Sequence, residues 1–224
     1  QCCQDAPTTL ALAEETLTLS AEHGFAHWIT TGSILHGWAL SQLGHGEKGI
    51  AQLQEGLAGW QRTGAEVALS HFFTMHAEAC GKEGQIKVGL YVIDEALAVV
   101  EKNGERFFEA EVYRVKGELL LAGNGERQRG HGESQKLKVK GQRSKVEGEA
   151  EACFQQAMTV AQGQEAKLWE LRACLSLSRL WQQQGKLAQA QELLTDVVGW
   201  FTEGDDTTDL QEARAFLGQG ASVH

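Results

Sequence analysis

A 40-residue internal period constrains this chain more than any other feature. Gly24, Gly64 and Gly104 recur at that interval, each closing one apolar helical pattern and opening the next. Aligning Gly49, Gly89, Ala150 and Ala190 places Leu53, Ile93, Phe154 and Leu194 four residues on, and Gly56, Ala96, Ala157 and Val197 three beyond those. Small, large, small at offsets of four and three trace one face of a helix. The 49-to-89 and 150-to-190 intervals are both 40 residues and the middle one is 61, so about 21 extra residues interrupt one repeat. A period in the range of 20–50 residues built from helix pairs specifies an α-solenoid, whose units pack only on their neighbours.

The pattern predicts a half repeat at 8–23, then antiparallel helix pairs over 26–62, 66–102, 105–162 and 166–201, and a capping helix at 209–217 with Thr208 or Asp209 as its N-cap. The fold class expected is all-α, a right-handed superhelix with no sheet. Gly37, Ala77, Gly117 and Ser178 hold one register in the first helix of each pair. Glycine in a helix interior costs roughly 0.5–1 kcal/mol relative to alanine, so glycines placed there predict close helix-to-helix approach.

Residues 124–147 break the pattern. From Arg127 to Lys145 seven Lys/Arg stand against one Glu, in a chain whose formal charge is −10. Little apolar surface is available there to offset ordering entropy, which predicts a disordered basic loop. Its Lys136, Lys138, Lys140, Arg143 and Lys145 form a candidate docking site for an acidic partner or a neighbouring subunit; the alternatives are a solvated loop without a role and, least favoured, a non-specific nucleic-acid contact.

Composition excludes several functions. Acidity argues against nucleic acid as a partner, and no apolar run approaches the roughly 20 residues of a membrane span. Cys2, Cys3, Cys80, Cys153 and Cys174 are an odd, scattered set without a C-x-x-C pair, the pattern of free thiols in a reducing cytoplasm. Gly44-His45-Gly46-Glu47-Lys48-Gly49 fits G-x-G-x-x-G but follows a helix rather than a strand, so it reads as a helix-pair turn. His76 and Cys80 have metal-ligand spacing without a second pair and read as core. Neither catalytic residues nor a metal or cofactor site is expected. The start at Gln1-Cys2-Cys3-Gln4 reads as a segment of a longer protein.

Small residues at positions 8, 20 and 27 of each unit resemble tetratricopeptide repeats. The unit is longer than usual, and no proline closes it, Pro7 being the only one. Leu180-Trp181-Gln182-Gln183-Gln184-Gly185-Lys186, Gly199-Trp200-Phe201-Thr202-Glu203-Gly204 and Gly104-Glu105-Arg106-Phe107-Phe108-Glu109-Ala110-Glu111 resemble, more narrowly, the C-terminal repeats of large bacterial signalling proteins. Those proteins join a class III nucleotide cyclase or DNA-binding domain to an AAA-type NTPase and then to repeats. The resemblance implies a non-catalytic scaffold arm that binds a protein, a peptide or neighbouring domains; the alternative is a solenoid sensing a small-molecule effector.

The tetratricopeptide likeness also implies a concave groove lined by the first helices. Carried onto this register, its residues are Thr31, Ile34 and Trp38, then His71, Thr74 and Glu78. Glu111, Arg114 and Glu118 follow, and then Arg172, Leu175 and Arg179. Tryptophan and arginine are frequent hot-spot residues, which suits an extended acidic peptide. The competing reading of Glu111, Arg114 and Glu118 is a solvated ladder of i, i+3 and i, i+4 pairs.

Overall fold

A computed structural model describes residues 4–129, 136–204 and 207–218. They form ten helices and, among the described residues, no strand. The chain divides into two compact units, residues 1–108 and 109–224. The first holds α1 (Ala6–His23), α2 (Ala26–Gln42), α3 (Gly46–Arg62), α4 (Leu69–Lys82) and α5 (Ile86–Asn103). The second holds α6 (Glu109–Arg129), α7 (Lys136–Gly163), α8 (Lys167–Gln183), α9 (Leu187–Val198) and α10 (Thr208–Gly218).

A left-handed residue punctuates the first unit every twenty positions: Gly24, Gly44, Gly64, Gly84 and Gly104 all have φ between 68° and 87°. In the second unit Glu165, Gly185 and Gly204 take that role. Glycine carries no Cβ penalty in this conformation, which is why it ends helices. At five of these points the following N–H reaches back five residues: Phe25 to Ser20, His45 to Leu40, Gln85 to Cys80, Ala166 to Ala161 and Lys186 to Trp181, all at 2.8–2.9 Å. This is the Schellman closure, which satisfies carbonyls that a helix end would otherwise leave open. The chain reverses at once, so α2 packs on α3, α4 on α5 and α8 on α9. Gly44 and Gly46 of the G-x-G-x-x-G stretch are the stop of α2 and the start of α3.

The helices of a pair meet at their small residues. A methyl carbon on Gly37 would lie 2.7 Å from the Leu53 backbone nitrogen and 2.8 Å from the Gly49 carbonyl oxygen. One on Gly49 would lie 2.6 Å from the Gly37 carbonyl oxygen. At the same register in the second unit the Phe154 ring fills the place of a Gly117 side chain, and the Ser178 hydroxyl donates to the Ala190 carbonyl at 3.2 Å.

Within each unit, side chains about one period apart are bonded. The Trp38 indole N–H donates to Glu78 at 3.1 Å, and the Lys82 ammonium donates to Gln42; both steps are 40 residues. Ala68 N–H donates to both Glu105 carboxylate oxygens at 2.9 and 3.0 Å, a 37-residue step that Arg172 and Asp209 repeat in the second unit. The core of the first unit centres on Ile34, Trp38, Leu53, Trp60 and Met75. In the second, Leu171, Leu175 and Leu194 pack with Leu210 and Phe216 of α10.

Helix starts and the basic stretch differ from the sequence pattern. Helices α4 and α6 start at Leu69 and Glu109 rather than 66 and 105, because turns at 67–68 and 107–108 precede them. The basic stretch expected to be a loop is largely helical: α6 runs through Arg129 and α7 begins at Lys136, so only 130–135 of that loop lies outside the described residues. Lysine, arginine, glutamine and glutamate are good helix formers, and the i, i+4 pairs Arg143–Glu147 (2.5 Å) and Lys145–Glu149 (3.8 Å) support the N-terminal half of α7.

Candidate interaction surface

The residues assigned to a concave groove lie mostly in the seam where first helices stack. In the first unit Ile34 and Trp38 are fully buried between α2 and its neighbours. Thr74 is buried with its hydroxyl on the Ser70 carbonyl, and Glu78 is half-buried under the Trp38 N–H. Thr31 is half-buried and donates to the His27 carbonyl at 3.1 Å. His71 is buried and stacks on Phe108 at 4.0 Å with an interplanar angle of 12°. It belongs to a run of ring contacts, Trp28–His27–Trp60–Phe72–His71–Phe108–Phe107, whose two end rings are exposed.

In the second unit the same register is ionic. Arg114 grips Glu111 through two bonds of 2.6 and 2.7 Å and Glu118 at 2.6 Å, and the Ser176 hydroxyl donates to Glu118 at 2.9 Å. Arg172, in α8, makes a two-pronged contact with Asp209 of α10 at 2.9 and 2.8 Å. It lies 3.8 Å from Glu111 and over the Trp169 ring at 5.0 Å. Burial alone lowers the Arg172 pKa, but the Asp209 bonds and the Glu111 and Asp209 charges outweigh that and hold it above its ordinary value. Leu175 is core, and Arg179 pairs at the surface with Glu212 at 2.7 Å. The Glu111–Arg114–Glu118 set is thus a ladder, and at Arg114 and Glu111 a buried one. A partner would have to part α6, α8 and α10 to reach Arg114 or Arg172.

Asp209 is the residue whose part the sequence did not reveal. Its position suited a helix cap; its carboxylate instead neutralises Arg172. The signal available was spacing, since Asp209 follows Arg172 by nearly one period. Of the basic candidates, Arg143 and Lys145 are exposed; the side chains of Lys136, Lys138 and Lys140 lie outside the described residues.

Other chemistry is muted. Burial pushes the Cys80 thiol up to about 11 and Cys174 up to about 12, and lowers the His76 pKa, with the His76 ring 3.4 Å from the Gln54 amide. Among the described residues no three His, Cys, Asp or Glu side chains are grouped to hold a metal ion, and no helix is long and apolar enough to cross a membrane.

No family model matches the chain. It is 32% identical over 95 residues to an uncharacterized protein, R02095, of Rhizobium meliloti (strain 1021), an alignment that covers 42% of this chain and 9% of that protein. The matched part of the chain therefore spans about a tenth of that relative's length.

Proposed function

We propose that the chain is a tetratricopeptide-like, right-handed α-solenoid serving as the non-catalytic protein-interaction arm of a larger bacterial signalling ATPase or nucleotide cyclase in the cytoplasm. The observation that carries this reading is the bond between equivalent side chains one 40-residue period apart, Trp38 to Glu78, with Arg172 to Asp209 making a 37-residue link in the second unit. Repeats that stack in register present surfaces made of corresponding side chains from successive units, which is how solenoids engage extended partners. The long Rhizobium relative supports the arm reading, because its match to this chain is a small part of a far larger polypeptide.

The test is made in the intact polypeptide from which the segment derives. Cross-linking mass spectrometry should join lysines of this region to a partner protein or to a nucleotide-hydrolysing or cyclising domain. Deleting the region should leave catalysis in place while removing its regulation. Unchanged regulation after deletion, or an intact polypeptide with no further domain, would refute the reading.

A further inference from the structure

Helices α7, α8 and α9 of the second unit line a trough of about 530 Å³ that the seam chemistry does not use. Its floor is Trp181 and Leu193, and its walls carry Glu151 of α7, Glu192 and Asp196 of α9, and Lys186 of the α8–α9 turn. The half-buried Trp181 ring is held in orientation by its N–H, which donates to Glu151 at 3.0 Å. The Lys186 ammonium lies 5.9 Å from the ring centroid, so the chain's own cation already rests on the indole face.

Glu192 and Asp196 stand at i and i+4 on one exposed helix face and, among the described residues, neither has a hydrogen bond or an ion pair. Like charges at that spacing repel, so the fold gains nothing by placing them there. With Glu151 they give the trough three carboxylates against one lysine. A guanidinium or ammonium entering it meets an indole face below and carboxylates beside it, the combination that strengthens both cation–π and charge-assisted contacts. The volume exceeds what one side chain fills, and the trough's carboxylates are not grouped to hold a metal ion.

We propose that this trough binds a partner protein's extended basic segment, with arginine or lysine side chains at alternate positions. Alternate side chains on one face of an extended strand repeat at about 7 Å, close to the roughly 5–6 Å between i and i+4 positions on a helix. One basic side chain displaces Lys186 from Trp181 while the next two along the strand pair with Glu192 and Asp196. This rests on the protein-interaction reading and supplies the chemistry of the partner.

The experiment titrates the whole chain into a short fluorescent peptide alternating arginine and alanine, at physiological ionic strength. Glu192→Gln with Asp196→Asn should weaken binding about tenfold, the scale of one desolvated cationic contact. Lys186→Ala should tighten it about threefold by removing the internal competitor. Glu15→Gln with Glu22→Gln in α1, and Lys48→Ala in α3, change net charge equally and should each move affinity by less than about twofold. Equal effects of the two acidic pairs would reduce the binding to net charge and overturn the trough, leaving a partner surface elsewhere intact. No binding at all would overturn the basic-segment chemistry while leaving the arm reading to its own test. Self-association in light scattering that Glu192→Gln with Asp196→Asn abolishes would make a second copy the occupant and overturn the proposed partner.

Discussion

The contact between Gly37 and Gly49 turns the repeat register into a measurable sign. An alanine at an exposed helix interior stabilises by up to about 1 kcal/mol over glycine, because it restricts the unfolded chain. At Gly37 the added methyl would meet backbone atoms at 2.7 and 2.8 Å. Relief requires a shift of at least about half an ångström, since carbon contacts are comfortable only near 3.5 Å. Backbone cannot rotate aside as a side chain can, so α2 and α3 must separate. That loosens fully buried Leu53 and Trp38 at the same crossing. Overpacking of this kind costs about 1–3 kcal/mol and outweighs the propensity gain. Gly37→Ala should therefore destabilise the first unit by roughly 1–2 kcal/mol. Gly141→Ala and Gly148→Ala in α7, where nothing lies within 4 Å, should stabilise by up to about 1 kcal/mol. Urea unfolding followed by circular dichroism measures all three. A Gly37→Ala protein as stable as the parent would show that the crossing is not where the register puts it.

Three further outcomes follow from the same geometry. Glu165 holds φ of 55° where the other closures use glycine, so Glu165→Gly should raise stability by about 0.5–1 kcal/mol in the same unfolding assay. Arg172→Met leaves the buried Asp209 and Glu111 without their shared cation and should cost about 3–5 kcal/mol, while adding Asp209→Leu should recover much of the loss. Burial lowers the His76 pKa, so the unfolded chain takes up the proton first as pH falls. Its stabilising contribution is complete above about 6.5 and is lost as pH drops below that through the folded-state value. His76→Gln should flatten this slope in pH-dependent unfolding, and an unchanged slope would count against a buried neutral ring.

The parts legible in the sequence were those fixed by local steric demands. Gly37, Gly49 and Gly117 stood out because a crossing that tight admits no side chain, and the helices ended where Gly24, Gly44 and Gly84 allow a left-handed residue. Long-range bonds left no local trace. The late start of α4 accompanies the Glu105 carboxylate gripping Ala68 N–H 37 residues away, which no window around Ala68 contains. The groove assignment took Trp38 and Arg172 as surface groups because the positions carried over from tetratricopeptide repeats give the face of a helix and not the distance to the next helix. Composition misjudged 136–147 for a different reason: a charged stretch that cannot nucleate alone is carried into helix by the packed turns of α7 that follow it.

The one-period bonds also bear on how the molecule comes to exist. In the first unit each joins residues at most 40 positions apart, so these bonds there need no more distant parts of the chain to find one another first. Low contact order of that kind keeps the loop-closure penalty small and speeds folding. Within a unit, a growing chain can then complete a pair soon after its second helix is made, with the preceding pair of that unit serving as its template.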